Sequence, residues 1–165
     1  MFQLNPETPE DSYEVEYLYD LCFAPGREAL SSYRLREGVA RVGALCLAAR
    51  DDFGVLAGAI RYWPVVVGPA RHPALLLGPV AVHPTYQGEG LGGLLVRDSL
   101  ARAEILGWER VILVGDAPYY QKFGFQKSET MTFPPPTNPD RLLYLPLTPT
   151  AFDGVSGEIM RVAVD

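Results

Sequence analysis

Four glycines crowd into six positions, Gly88, Gly90, Gly92 and Gly93, within His83-Pro84-Thr85-Tyr86-Gln87-Gly88-Glu89-Gly90-Leu91-Gly92-Gly93. A simple tight turn needs fewer residues able to reach positive φ, so this turn lets backbone come close to something. The stretch before it, Ala74 to Val82, is apolar and strand-like. From Gly90 to Leu106 the residues Leu91, Leu95, Val96, Leu100, Ala103 and Leu106 recur on one broad side, with Arg97 and Glu104 opposite and Gly107 closing the run. That is the pattern of an amphipathic helix. A strand leading through such a turn into a helix exposes successive N–H groups at the positive end of the helix dipole, which makes an anion site.

Three phosphate-binding patterns use a turn of this kind. A P-loop requires a Lys and then a Ser or Thr after its last glycine, and neither follows Gly92 or Gly93. A dinucleotide fingerprint, G-x-G-x-x-G, is satisfied by Gly88 to Gly93, and Asp116 follows at about the 20 residues expected of a ribose partner. Against it, His83 to Gln87 separate the strand from the first glycine, and the preceding strands form a meander rather than parallel units. The third pattern, Q/R-x-x-G-x-G/A after a strand, is met by Gln87-Gly88-Glu89-Gly90-Leu91-Gly92.

The flanking chain supplies the architecture. Thr8-Pro9-Glu10-Asp11 has the order of a helix start, predicting a helix from Pro9 to about Cys22 after a short apolar start at Phe2 to Leu4. A Pro25-Gly26 turn separates it from a second helix, Arg27 to Glu37, ended by Gly38. Three apolar stretches, Val42 to Ala49, Val55 to Val67 and Ala74 to Val82, predict an antiparallel meander. Beyond the long helix come a buried strand at Val111 to Val114, a helical turn at Tyr119 to Phe123, and strands from Phe125 and from Arg141 to Leu147. The four prolines between Phe133 and Pro139 mark a loop. Glu158 to Val164 alternates like an edge strand, a segment able to mediate a homodimer. At 165 residues the chain is expected to form a single domain, residues 1–165, with a core at about 1–148 and a C-terminal strand segment at 149–165.

Charge narrows the partners. Fourteen Lys and Arg against 20 Asp and Glu leave a net −6, which removes the long-range attraction that nucleic-acid binding relies on. Cys22 and Cys46 lie apart in apolar surroundings, as buried free thiols do, and make no metal site. The amino terminus lacks the basic and hydrophobic regions of a leader, and no apolar run reaches the ~18 residues of a membrane span. A cytoplasmic protein without a membrane partner is expected.

In this order the elements resemble the GNAT superfamily of N-acetyltransferases, an α/β fold with a central, mostly antiparallel mixed sheet flanked by helices. The Gln87 to Gly92 segment resembles its acyl-CoA pyrophosphate loop, and Tyr120-Gln121-Lys122-Phe123-Gly124-Phe125 its Y-x-x-x-G-F segment. Leu77 to Pro84, Gly115 to Tyr120 and Tyr33 to Glu37 look most like its YhbS-like branch. Many members carry an Asn some seven residues before the Tyr; Gly115-Asp116 stands only four or five before it here, so the contact of that Asn is not among those the resemblance implies.

The resemblance implies acetyl-CoA as cosubstrate and a small-molecule or protein amine as acceptor, attacking directly in a ternary complex. Main-chain groups of Val80, Ala81 and Val82 would hold the pantetheine arm. N–H groups of Gln87, Gly88, Glu89, Gly90, Leu91 and Gly92 would cradle the pyrophosphate, with the helix dipole adding about 0.3–2 kcal/mol. Tyr120 is the implied general acid, since a phenol with an ordinary pKa near 10 keeps its proton at neutral pH. Tyr119 would point about 100° away on a helix. The base is His83 or water. Trp63, Tyr62 and Phe23 with Arg27, Arg34 and Arg36 form either an acceptor pocket or core aromatics beside solvated arginines. The alternatives are a non-catalytic acyl-CoA-binding module and a dinucleotide oxidoreductase.

Overall fold

A computed structural model of the chain describes residues 1–23 and 31–163. Its elements are β1 Gln3–Pro6, α1 Ser12–Cys22, α2 Ser31–Arg34, β2 Leu47–Arg50, β3 Leu56–Val67, β4 His72–Val82, α3 Leu91–Ile105, β5 Arg110–Val114, α4 Ala117–Tyr120, β6 Gln126–Lys127, β7 Met131–Thr132, β8 Leu142–Pro146 and β9 Gly157–Arg161. The strands pair in the order β1-β2-β3-β4-β5-β8-β6, and β9 pairs with β3 and β7. Among the described residues only β4 with β5 and β7 with β9 run parallel. The sheet is therefore mixed and mostly antiparallel, as the order of elements predicts.

The long strand β3 organises the rest. One edge follows β4 from Gly58 to Val67, while the other meets β2 over Leu56 to Ile60 and β9 over Val65 to Val67. Every residue of β3 except Pro64 is buried, because helices cover both faces and a doubly covered strand is apolar throughout. On one face Ile60 and Tyr62 pack with Leu91, Leu95 and Val96 of α3; on the other, Leu56 and Ala59 pack with Val15 and Leu18 of α1. Gly58 permits the first contact: a Cβ there would lie 3.0 Å from Leu95 Cδ1 and 3.1 Å from Leu91 Cδ2.

One charge lies within this apolar run. The side chain of Arg61 is 2% exposed, and that of Glu7, at the end of β1, only 1%. Arg61 Nε and Nη2 donate to the two Glu7 oxygens at 2.9 and 2.8 Å, and Nη1 donates to Glu16 of α1. The guanidinium also lies 5.3 Å from the Tyr19 ring centroid. The pair thus joins the amino-terminal strand and the first helix to the centre of the sheet.

Several expected boundaries shift for local reasons. Helix α1 starts at Ser12, not Pro9, because Thr8 and Asp11 close a turn first: the Thr8 N–H and Oγ1 donate to the Asp11 carboxylate at 2.8 and 2.9 Å. Of the second helix expected at 27–37, residues 27–30 lie outside the described residues, and the described part is only α2 and a turn ending at Gly38 (φ +70°). Residues 43–45 form a 3₁₀ turn, so β2 begins at Leu47. The apolar stripe of α3 ends at Ala103, and Leu106 is exposed. The closing strand is an edge only in part: residues 157–158 pair with β7 and residues 159–161 with β3, and Val155 and Ile159 are buried with Val65, Val67 and Met131.

Removing Glu7 leaves the buried Arg61 only the half-exposed Glu16 as counterion, and an undercompensated buried charge is costly. Glu7→Ala is therefore expected to lower the unfolding free energy by about 3–5 kcal/mol in urea titrations; a loss under about 1 kcal/mol would show that Arg61 needs no carboxylate from β1.

Candidate active site

Strands β4 and β5 are paired only at Leu75 with Val111 and Leu76 with Ile112. Beyond them β4 bulges at Gly78 and Pro79, where its register with β3 slips between Ile60 and Tyr62, while β5 continues along β8 to Val114. The two strands part, and a cleft of about 700 Å³ opens between Leu77 to Val80 on one side and Leu113 to Asp116 on the other. The His83 N–H donates to Ala57 O of β3 at 2.8 Å. By the alternation of an antiparallel ladder, the N–H groups of Val80 and Val82 therefore point away from β3, toward the opening. Val82 O accepts from Gln87 Nε2 at 3.3 Å and from Cys22 Sγ at 3.4 Å. Ala81 is buried against α1.

At the end of β4 the chain turns through the 3₁₀ segment Pro84–Tyr86, capped by His83, whose Nδ1 accepts from the Thr85 N–H at 3.1 Å. The Tyr86 hydroxyl donates to Asp51, and its ring meets Phe2 edge-on at 5.4 Å. That hydrogen bond also holds the Asp51 carboxyl below its ordinary pKa. The turn is thereby fastened to the β2–β3 connection. Gly88 and Gly90 then adopt left-handed φ of +89° and +79°, and a Cβ on either would project into open space. These glycines are needed for conformation, not room. Among the described residues no hydrogen bond takes the N–H groups of Gly88 to Gly93; the first within the helix is Leu94 N–H to Gly90 O. Of the predicted residues, Gly88 to Gly92 thus form a run of unsatisfied donors at the start of α3, while the Gln87 N–H is taken by Pro84 O at 3.4 Å.

Tyr120 stands at the end of α4, and the Gly124 φ of +95° turns the chain back toward Phe125. Its ring packs on Phe125 at 5.9 Å and over Gly115, where a Cβ would lie 2.8 Å from Cε2. Among the described residues its hydroxyl makes no hydrogen bond, and burial pushes its pKa up to about 12. Tyr119 also lines the cleft, and its hydroxyl sits 3.0 Å from where a Cβ on Gly92 would be. Both phenols therefore face the site, because the cleft wraps around a very short helix.

The opposite wall was hidden in the sequence. Ser31 Oγ is 2.7 Å from Thr137 Oγ1, and Arg34 Nη1 donates to Pro135 O at 2.9 Å, fastening α2 to the proline loop. Phe23, Tyr33, Arg36, Phe133 and Arg141 line the cleft behind this closure, and Asp116 is the one carboxylate among its described lining residues. Of the expected pocket residues, Tyr62 is fully buried and bonded to Ser99 Oγ at 2.8 Å. Trp63 lines an adjacent cavity of about 900 Å³ that shares Tyr33 and Arg36 with the cleft. Arg34 holds the loop, and Arg27 lies outside the described residues. His83 faces a separate cavity with Tyr13, Tyr17 and Val55, away from Tyr120.

A cleft between parting strands, a donor nest beside it and a protonated phenol within it can bind a long anionic thioester and supply a proton to its leaving group. A dinucleotide site does not fit this sheet, because among the described residues β4 and β5 are the only parallel neighbours near the nest. Residues 42–127 match the acetyltransferase (GNAT) domain family. Over 121 residues, 73% of this chain and 71% of the relative, the sequence is 32% identical to the uncharacterized N-acetyltransferase YhbS of Escherichia coli (strain K12). The crystal structure of the GNAT family N-acetyltransferase YhbS from Escherichia coli in complex with CoA is similar at TM-score 0.84 and 27% identity, covering 97% of this chain and 89% of that one. A GNAT family acetyltransferase from Brucella melitensis in complex with acetyl-CoA gives TM-score 0.76 and 28% identity, covering 99% and 97%.

The contact at Gly115 is limited by space alone, since its φ is not in the left-handed region. Gly115→Ala is expected to displace the Tyr120 ring and to cost about 1–3 kcal/mol of stability by overpacking, read by urea unfolding and a crystal structure of the variant. An unmoved ring at unchanged stability would contradict the packing described.

Proposed function

The chain belongs to the GNAT acetyltransferase family, and on that premise we propose that it transfers an acetyl group from acetyl-CoA to a primary amine, by direct attack with both substrates bound. The observation that carries this reading is the donor nest standing beside the opening between β4 and β5 that Tyr120 lines: Tyr119 lines the same cleft, and its hydroxyl is 3.0 Å from where a Cβ on Gly92 would be. The residues present fit such a ligand: open space at Gly88 and Gly90 admits a diphosphate to the backbone, and the parted strand edge offers donors to an extended amide-bearing arm. When bound, acetyl-CoA supplies an acyl carbon activated by a thioester.

Each residue then has a defined task. The nest entered at Gln87 binds the diphosphate through the main-chain N–H groups of Gly88 to Gly92, so side chains there contribute little. Val80 and Val82 direct N–H groups at the arm and the acyl carbonyl, while Ala81 keeps β4 seated on α1. In the transfer the amine nitrogen bonds to the acyl carbon and the carbon–sulfur bond breaks. Tyr120 donates its phenolic proton to the departing sulfur, and the proton lost by nitrogen leaves to water in the cleft. Burial that raises the phenol's pKa raises that of a thiol in the same place, which keeps donor and acceptor matched. The remote His83 is not assigned the role of base. The free thiols Cys22 and Cys46 suit a reducing compartment, which supports a cytoplasmic location.

Tyr120→Phe is expected to lower kcat by about 10²–10⁴-fold while CoA affinity, measured by calorimetry, stays within about twofold. Turnover equal to the unmodified enzyme would favour a cleft that binds acyl-CoA without this acid. The pH profile has a definite sign. A phenol with its pKa raised to about 12 keeps its proton at every pH below that value. The ascending limb of kcat/KM follows deprotonation of the acceptor ammonium, and no descending limb is expected up to about pH 10. A fall beginning near pH 8 would assign the acid to another group.

A further inference from the structure

Arg36, just beyond α2, lines both the cleft and the neighbouring cavity. Its guanidinium carbon lies 3.6 Å from the Trp63 ring centroid and 3.8 Å from that of Tyr33. Two rings at that distance cannot share one face of a planar group, so they cover both faces and leave only the edge available. The edge atom Nε is buried and, among the described residues, has no hydrogen-bond partner, while the guanidinium shares a side-chain hydrogen bond with Tyr33. Among the described residues no ion pair includes Arg36 or the other cleft arginine, Arg141.

The charge balance of the cleft opposes that of the chain. Overall, 20 acidic residues outnumber 14 basic ones, yet the described lining of the cleft holds Arg36 and Arg141 against Asp116 alone. A partly desolvated guanidinium without an anion is unfavourable, and burial accordingly lowers the pKa of Arg36. The end of a guanidinium, its two terminal nitrogens, has the geometry that meets a carboxylate through two in-plane hydrogen bonds, and the hydrogen bond with Tyr33 brings no negative charge to offset the positive one. A purely cationic amine, drawn to the acidic exterior, would instead meet two like charges on entry.

We propose that the acceptor is an amine that also carries a carboxylate, an amino acid or a close analogue, with its acid group held by the edge of Arg36 and its nitrogen turned toward the opening between β4 and β5. This rests on the acetyl-transfer reading and names the substrate class of the same site. Arg36 is a binding residue, and Arg141 adds to the positive potential at the entrance. The rings of Phe23, Tyr33 and Phe133 offer the rest of the acceptor an apolar wall.

The test measures thiol release from acetyl-CoA with a panel of L-amino acids, each beside its carboxamide and its decarboxylated amine. At least one amino acid is expected to exceed both neutral-tail counterparts by about tenfold or more in kcat/KM. Arg36→Gln should bring that ratio toward one through KM, and Arg36→Lys should restore part of it. Better turnover of the amides or amines, or a ratio unaltered in Arg36→Gln, would overturn the proposal. The wild-type ratio decides the matter even where a variant fails to fold. Turnover of no amino acid also overturns it, and a parallel calorimetric titration with CoA separates the two failures: CoA bound leaves the cofactor site standing, and CoA unbound removes the acetyl-transfer reading as well.

Discussion

The parting of β4 from β5 is the constraint on which the site depends. Two parallel strands that paired along their full length would satisfy each other's backbone groups and bury the space between them. Here β4 is held to β3 on its other edge and β5 to β8 on its own, so neither can follow the other past Leu76 and Ile112. The bulge at Gly78 and Pro79 increases the divergence. Donors left unpaired at the strand edge, together with a cavity beside them, are the direct result.

The divided sheet needs support from outside the cleft. On one side α3 leans on β3 through the gap at Gly58, which fixes where its amino-terminal N–H groups point. On the other, α1 and β1 are tied to β3 by Arg61, and the Tyr19 hydroxyl donates to Pro79 O at 3.1 Å. A buried charge network thus reaches the bulge of β4 through a fully buried tyrosine. Such networks are costly unless every member is satisfied, and among the described residues Arg61 has carboxylates for its charge where Arg36 has none. The contrast separates an arginine that holds the fold from one whose edge awaits a ligand.

What could be recognised in the amino-acid order was what arises locally. The turn from His83 to Gly93, the helix that follows and the Tyr120 to Gly124 spacing each lie within a few residues, and glycines at positive φ leave a mark there. The alternation of apolar stretches likewise exposed the meander. The proline-loop wall was invisible, because Ser31 and Thr137 are 106 positions apart. Arg61 was hidden inside an apolar strand, its partner Glu7 lying 54 positions earlier. Helical geometry suggested that Tyr119 turns away, but a four-residue helix inside a cleft has no outer face to turn to. Arg36 could be named as an arginine near Trp63, whereas its place between two rings depends on tertiary packing.

A crystal structure of the protein with acetyl-CoA tests the central claim most directly. The account predicts diphosphate oxygens within hydrogen-bond reach of the N–H groups between Gln87 and Gly92, the pantetheine arm along Val80 to Val82, and the thioester sulfur beside the Tyr120 hydroxyl. A bound ligand that leaves the nest empty, or that lies outside the opening between β4 and β5, would contradict it.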